Sequence, residues 1–324
     1  MTETPLISVI MIFLDERRFI REAIDSVFAQ TYPQWELLLI DDGSSDGSSE
    51  IARGVAAQHA QRVRYLEHAA HQNLGMSASR NLGIRHANGT FIAFLDADDV
   101  WEPAKLQQEI GILNSHPTAA MVFGAAQWWY SWTGRIDDQD RDFVRRVSVQ
   151  PNSLIQPPEL LIALLENETV TTTLALIRRD AFVRAGGFEE TFRGLYEDQV
   201  FSAKICSKEP VYVADACWYK WRKHPDSSCS HAVAEGRYSL ARRAYLSWLL
   251  NYLSQGSVRN RELTRTLRRQ LWKSRHPFLI QIWEGVKNPR KIQSTAAGIA
   301  HDVFPAAVRH WLRARFGGSN SLLQ

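Results

Sequence analysis

At 324 residues, 45% of them hydrophobic and 23% charged, the chain is a globular protein of one large or two ordinary domains, which excludes the disordered and fibrous classes. No apolar run approaches the roughly 18 to 20 residues that cross a bilayer, and Met1-Thr-Glu-Thr-Pro5 lacks the basic start and apolar body of a signal peptide, so a cytoplasmic protein is expected. Net charge is only +3, yet residues 257–324 carry 13 Lys and Arg against 3 Asp and Glu, so that tail is +10 and the remainder −7.

In chain order, Ile7 to Phe13 is an almost continuous apolar run suited to a strand covered on both faces. Arg17 to Gln30 places Phe19, Ile20, Ala23, Ile24, Val27 and Phe28 at helical spacing, and Thr31-Tyr-Pro33 ends it. Trp35 to Ile40 reads as a second strand, followed by the small polar loop Asp41-Asp-Gly-Ser-Ser-Asp-Gly47. A helix to Ala60, a strand Val63 to Leu66, a turn at Asn73-Leu-Gly75, a helix Met76 to Ala87 and a strand Thr90 to Leu95 come next. This alternation predicts βαβ crossovers and a doubly wound α/β sheet.

Further strands are predicted at Ala119 to Ala126, Val170 to Ile177, Val211 to Ala214 and Cys217 to Trp221, with helices at Pro158 to Asn167, Arg179 to Ala185 and Glu197 to Lys208. Gln127 to Gln156 reads as irregular; its Trp128-Trp-Tyr130 and Trp132 either pack as a local hairpin or stack on a sugar. The remainder reads as mainly helical. Its cations, interleaved with Trp272, Phe278, Trp283, Trp311 and Phe316, suit either solvated helix faces or an anionic membrane surface met by residues 257–316, with nucleic acid not expected. Cys206, Cys217 and Cys229 show no C-x-x-C spacing, so neither a disulfide framework nor a zinc site is indicated.

Ligands of such sheets bind beyond the carboxyl ends of the strands. That rule puts Asp15, Asp41, Asp42 and the Asp96, Asp98, Asp99 cluster on one rim. Converging carboxylates are costly unless a cation lies between them. A divalent ion shared with substrate phosphates is the natural partner, and Mg²⁺ or Mn²⁺ suits oxygen donors. The string Asp96-Ala-Asp-Asp-Val100 also fits the D-x-D-x-[TV] motif of haloacid dehalogenase-like phosphatases, although that motif normally follows the first strand and here three βα units precede it.

A wider set of motifs resembles family 2 glycosyltransferases of the GT-A fold. It comprises Ile7 to Asp46 with its Asp41-Asp-Gly-Ser loop, Asn73-Leu-Gly-Met-Ser-Ala-Ser-Arg-Asn81, Phe94-Leu-Asp-Ala-Asp-Asp-Val-Trp-Glu-Pro103, Ala185-Gly-Gly-Phe188, Tyr196-Glu-Asp-Gln199 and Trp221-Arg-Lys-His-Pro-Asp-Ser-Ser228. Together they span about residues 5 to 230 in the family's order, a joint pattern far more specific than any piece. The resemblance implies a GT-A α/β fold with a C-terminal helical extension. Residues 1–126 would form the nucleotide-sugar half, 127–230 the acceptor and catalytic half, and 231–324 a basic helical extension.

The resemblance also implies roles. Asp42 would meet the nucleotide base and Asp96 the ribose, while Asp98 would ligate Mn²⁺ or Mg²⁺ at the donor diphosphate. Arg80 would approach the donor phosphates, with Arg222 and His224 closing over the diphosphate. Asp198 would be the base of an inverting transfer to a saccharide or lipid-linked acceptor in polysaccharide or glycolipid synthesis. Where the family usually has P-x-Y-N, this chain reads Ile12-Phe-Leu-Asp15, so Asp15 brings a charge to the base pocket; a UDP-sugar is favoured by family frequency. The enzyme would work in the cytoplasm or at the inner face of the membrane. The alternative from another class is a nucleotide-sugar-binding protein without transfer activity.

Overall fold

The structure is a computed structural model that describes residues 4–167, 175–256, 260–276 and 279. It divides into two compact units, Met1–Leu271 and Trp272–Gln324. Most of the basic stretch expected to meet a membrane lies outside the described residues, as do residues 170–174 of one expected strand.

The first unit is organised by its apolar runs. β1 (Ile7–Phe13) and β2 (Trp35–Asp41) are buried at every residue, which a strand tolerates only when both sheet faces are covered. Between them α1 (Ile20–Phe28) turns Ile20, Ala23, Ile24 and Val27 inward. It begins later than the periodicity predicts, because Phe19 and Ile20 N–H groups donate to Glu16 O in a turn that precedes the helix. α2 (Ser48–Gln58), β3 (Val63–Glu67), α3 (Met76–His86) and β4 (Phe91–Asp96) complete a parallel block ordered β3-β2-β1-β4.

The second half is mixed. A two-residue strand β5 (Val100–Trp101) leads to α4 (Lys105–Ser115) and β6 (Met121–Trp129). The region that reads as irregular contains a short helix α5 (Ile136–Gln139) and the strands β7 (Phe143–Arg145) and β8 (Ser153–Ile155). α6 (Glu159–Asn167), β9 (Ala175–Arg178), α7 (Arg179–Ala185), α8 (Glu197–Cys206) and β10 (Val211–Arg222) follow, then α9 (Ser228–Ala234), α10 (Tyr238–Gln255) and α11 (Arg261–Arg275). Among the described residues there is one sheet, whose path runs β3-β2-β1-β4-β9-β6-β10-β5. β9 pairs antiparallel with both β4 and β6, so β6 and β10 recover the direction of the first block. The two strands predicted within 211–221 are one strand whose register shifts between Val213 and Tyr219. Such irregularity bends a strand, and a pattern reader sees it as a break.

The carboxyl ends of β1, β2 and β4 therefore share one edge, and β10 brings Arg222 to it from the far side of the sheet. α3 lies close against the parallel block: a Cβ on Gly83 would stand 2.6 Å from Ile10 Cγ2. The helix that carries Arg80 is thereby pressed onto β1.

Candidate active site

Two loops form the first wall. Asp41, the last residue of β2, accepts hydrogen bonds from Gly43 N–H (3.1 Å), Ser44 N–H (2.8 Å), Tyr65 Oη (2.8 Å) and Ser49 Oγ. Burial alone would raise its pKa, but these donors outweigh burial and hold the carboxyl below its ordinary range. Asp42 turns the other way and accepts from Leu74 N–H (2.9 Å), Gly75 N–H (3.0 Å) and Ser79 Oγ (3.0 Å), so it ties the loop after β2 to the loop before α3. Gly43 sits between these loops at φ +93°, where a Cβ would meet Asn73 N and His71 O at 3.0 Å; glycine is required there by conformation and by space. Asp15, at φ +56°, closes the wall by accepting from Ser45 N–H (2.6 Å) while its own N–H donates to Ser44 Oγ (3.0 Å).

Asp41, Glu67 and His71 are the one group among the described residues whose potential ligand atoms lie within 4.8 Å of one another. His71 Nε2 faces Ser44 O at 2.8 Å and must donate, while Nδ1 faces Glu67 Oε2 at 2.8 Å. Both contacts raise the His71 pKa, the Ser44 carbonyl more than the Glu67 carboxylate.

The second wall is the acidic edge itself. Asp96 ends β4 and Asp198 is the second residue of α8. Arg80 lies between their motifs, only 2% exposed, donating from Nη1 to Glu197 Oε1 (2.8 Å) and from Nη2 to Asp96 Oδ1 (3.0 Å). Burial disfavours its charge, but Asp96 and Glu197 more than offset that and keep the guanidinium firmly protonated. Arg80 is thus committed to two carboxylates in this structure. Its two outer nitrogens join the Asp96 motif to the Glu197-Asp198 motif, and a ligand phosphate would have to compete for them.

Asp98 and Asp99 divide sharply. Asp99 is buried and accepts from Tyr219 Oη (2.7 Å) and Arg222 N–H (2.7 Å), which makes it a bolt between the β4–β5 turn and β10. Asp98 keeps its carboxylate near the surface, with His224 Nε2 at 3.1 Å from Oδ2. Its carbonyl accepts from Arg222 Nε (2.7 Å), and the remaining arm of Arg222 reaches Glu22 (2.6 Å) above the rings of Phe19 and Trp129. Arg222 and His224 therefore meet the loop of Asp98 rather than open space. His224 Nδ1 is buried with no hydrogen-bond partner, a polar atom left over on the side chain that touches Asp98.

The edge is short of positive charge. Burial, then Asp98 and Asp96, push the Asp99 carboxyl well above its ordinary range. Burial raises Asp96, with Arg80 pulling down and Asp98 pushing up. Asp198 is raised by burial against the pull of Arg80 and of Gln199 N–H, 2.8 Å from Oδ1; the start of α8 does not keep this carboxyl at its ordinary value. Glu16 is a member the sequence reading missed. Burial, followed by Asp98, Asp46, Asp96 and Asp15, pushes it to about 8. A second carboxylate directly after Asp15, at the end of the first strand, was the available signal.

The sequence profile described as Glycosyl transferase family 2 matches residues 8–184, more than half of the chain, and stops short of Asp198, Arg222 and His224. The chain is 31% identical over 229 residues to the uncharacterized glycosyltransferase EpsJ of Bacillus subtilis (strain 168), covering 69% of this chain and 62% of EpsJ. It is 27% identical over 260 residues to the succinoglycan biosynthesis protein ExoW of Rhizobium meliloti, covering 78% of this chain and 79% of ExoW. It spans only 41% to 62% of the length of the first three curated relatives it matches. Among solved structures, S. aureus TarS 1–349 in complex with UDP-GlcNAc superposes with a TM-score of 0.60 at 17% identity, over 84% of this chain and 73% of that one. The mannosyltransferase PcManGT from Pyrobaculum calidifontis, in complex with GDP-Man and Mn²⁺, gives 0.57 at 20% identity, over 97% and 80%. At such identities the structural likeness establishes the GT-A fold, and the profile match establishes the rest: the chain belongs to glycosyl transferase family 2.

Proposed function

We propose that the protein is an inverting, metal-dependent glycosyltransferase. It moves a sugar from a nucleotide-sugar, with UDP favoured, to a hydroxyl of a saccharide or lipid-linked saccharide in cell-surface polysaccharide synthesis. The observation that carries this reading is the buried bridge Glu197–Arg80–Asp96, which unites motifs more than a hundred residues apart around one acidic edge. Support for the substrate class comes from relatives: ExoW belongs to succinoglycan biosynthesis and TarS binds UDP-GlcNAc.

In this reading residues 1–126 hold the donor, 127–230 hold the acceptor and the base, and 231–324 form the extension. That extension brings the enzyme to the inner face of an anionic membrane. Asp15 and Asp42 shape the base pocket through the loops they tie, and Asp96 meets the ribose. Asp198 accepts the proton of the acceptor hydroxyl as that oxygen bonds to the anomeric carbon. The bond from that carbon to the diphosphate breaks on the opposite face, and its electron pair leaves with the nucleotide. A base whose proton affinity is raised by burial is better matched to work near neutral pH than an ordinary aspartate.

The donor set fits Mn²⁺ or Mg²⁺: hard carboxylate oxygens at Asp98, with Glu16 beside it, whose mutual repulsion a cation would relieve. When bound, the ion offsets the negative charge that develops on the departing diphosphate. Arg222 and His224 act by fixing Asp98, one at its carbonyl and the other at its carboxylate.

The test is a panel of nucleotide-sugars scored by calorimetry and by slow UDP release. Mn²⁺-dependent UDP binding with release from one UDP-sugar is expected. Asp98→Ala should weaken that binding on the order of tenfold to a hundredfold and have little effect in EDTA. Binding without release from any donor would support the non-catalytic alternative.

A further inference from the structure

Tyr196, the residue before Glu197, holds φ +71° and ψ 5°, a left-handed backbone conformation. A bulky aromatic residue seldom adopts it, because its Cβ crowds the following carbonyl. Such a conformation persists only where neighbouring structure imposes it. Tyr196 is also the N-cap of α8, and its carbonyl accepts a hydrogen bond of the first helical turn from Val200 N–H at 2.9 Å. The backbone at Tyr196 therefore sets where Glu197 and Asp198 begin, and Glu197 carries one end of the Arg80 bridge.

The neighbour that imposes this conformation is α10. Tyr245 stacks on Tyr196 with ring planes 16° apart and centroids 5.2 Å apart, and Tyr238 meets the same ring at 5.6 Å. Seven residues make about two helical turns, so Tyr238 and Tyr245 share one face of α10. Trp248, on the next turn of that face, meets Phe192 edge-on at 5.9 Å, while the Phe192 carbonyl accepts from Ser77 Oγ of α3 at 3.1 Å. The loop entering the Glu197-Asp198 motif is thus held by α10 at Phe192 and again at Tyr196. Tyr245 is only 5% exposed, and Leu246 and Leu249 beside it belong to the core, so this part of α10 is anchored.

We propose that Tyr245 is a positioning residue for the base: its ring holds Tyr196 in the left-handed conformation and so fixes the first turn of α8, from which Asp198 meets the acceptor hydroxyl. The proposal rests on the glycosyltransferase reading, in which Asp198 is the base, and it counts α10 with the catalytic half although the chain beyond residue 230 reads as an extension. A base displaced by a fraction of its reach loses rate while it stays chemically intact. The donor is held in that reading by Asp42, Asp96 and Asp98 on other elements, so donor affinity and rate separate on mutation.

The experiment uses the full chain with Mn²⁺. UDP affinity is read by calorimetry, UDP release on the panel of nucleotide-sugars, and hydrogen exchange of the Val200 amide without any ligand. Tyr245→Leu keeps an apolar side chain in the core but has no face to stack. It should slow UDP release on the order of tenfold to a hundredfold, as a misplaced group does, and speed Val200 exchange at least about tenfold, as local opening does. UDP affinity should stay within about twofold, which also shows that the variant folds, and Tyr245→Phe, which keeps the ring, should restore most of the rate. In Tyr196→Gly the left-handed conformation needs no ring to hold it, so adding Tyr245→Leu to that background should change neither rate nor exchange by more than about twofold. A loss of the same size in both backgrounds overturns the proposal, because Tyr245 would then act on the fold at large and not through Tyr196. Unchanged rate and exchange in Tyr245→Leu overturn it too, as does a parallel loss of UDP affinity. Failure of the parent to release UDP from any nucleotide-sugar would instead remove the glycosyltransferase reading, and the Val200 exchange would still decide whether Tyr245 holds the turn.

Discussion

Asp41 and Asp99 are both buried aspartates, each just beyond or at the end of a parallel strand, and each accepts hydrogen bonds from the protein. Their carboxyls move in opposite directions. Asp41 is surrounded by N–H and O–H groups of its own loop and is held acidic. Asp99 is pushed far the other way, by burial first and then by Asp98 and Asp96, and its hydrogen bonds from Tyr219 and Arg222 do not offset them. The same contrast separates the two walls: the loop wall satisfies its charges internally, whereas the acidic edge shares Arg80 among several carboxylates and leaves negative charge over. A carboxylate answered by backbone serves architecture. One crowded by other carboxylates, as Asp96 is by Asp98, lies where a bound cation would relieve repulsion.

The sharpest way to test that division is at Asp198. Asp198→Asn preserves shape and removes the proton acceptor, so transfer should fall by the ~10²–10⁴-fold typical of a lost general base. UDP affinity in Mn²⁺ should survive. Loss of UDP binding as well would mean that the residue is structural and that the edge does not separate donor holding from chemistry.

On the loop wall the expected effect is on folding. Asp41→Asn turns an amide NH₂ toward donors that need an acceptor, at a cost of about 1–3 kcal/mol for a buried group left unsatisfied. The pH dependence has a definite sign. Because the folded carboxyl is held below its ordinary 3.8, its contribution is fully present above that value and is lost as pH falls through the depressed one. The advantage of the parent in urea unfolding should be flat above about pH 5 and shrink below it. An advantage that grows on acidification would remove the contrast.

The smallest effect belongs to Glu16. Its carboxyl rises from 4.5 to about 8, so the folded state holds the proton more tightly and stability declines as pH climbs through that window. Glu16→Gln cannot ionise. Its melting temperature should match the parent near pH 4 and exceed it by a few degrees at pH 8, and Mn²⁺ should erase the difference. A variant less stable than the parent at pH 8 would place Glu16 with the architectural carboxylates.

How much of this was legible differs along the chain. β1, β2 and β4 were readable because a strand covered on both faces has to be apolar almost throughout, whereas the edge strand β3 buries only Val63 and was placed by its position between two helical stretches. β5, β7 and β8 were not, since two or three residues give no period to read. The acidic edge was visible because β4 runs straight into Asp96, Asp98 and Asp99. What Arg80 does was not: the family resemblance proposes a phosphate partner, and only the tertiary fold reveals Glu197 and Asp96 at its two arms. Glu16 and Glu22 escaped for the same reason, as their partners come from distant loops and from β10.

The bolt at Asp99 has a bearing on how the protein is made. Its two partners, Tyr219 and Arg222, are 120 and 123 residues later in the chain. A ribosome adding about 5–20 residues per second needs on the order of ten seconds to deliver them after Asp99 has emerged. Throughout that interval the parallel block β3-β2-β1-β4 has its apolar strands available to pair, while the turn that carries Asp98 has nothing to lock against. The parallel block can therefore be assembled before the acidic edge is set, and a nascent chain halted before β10 would carry the motif without its geometry.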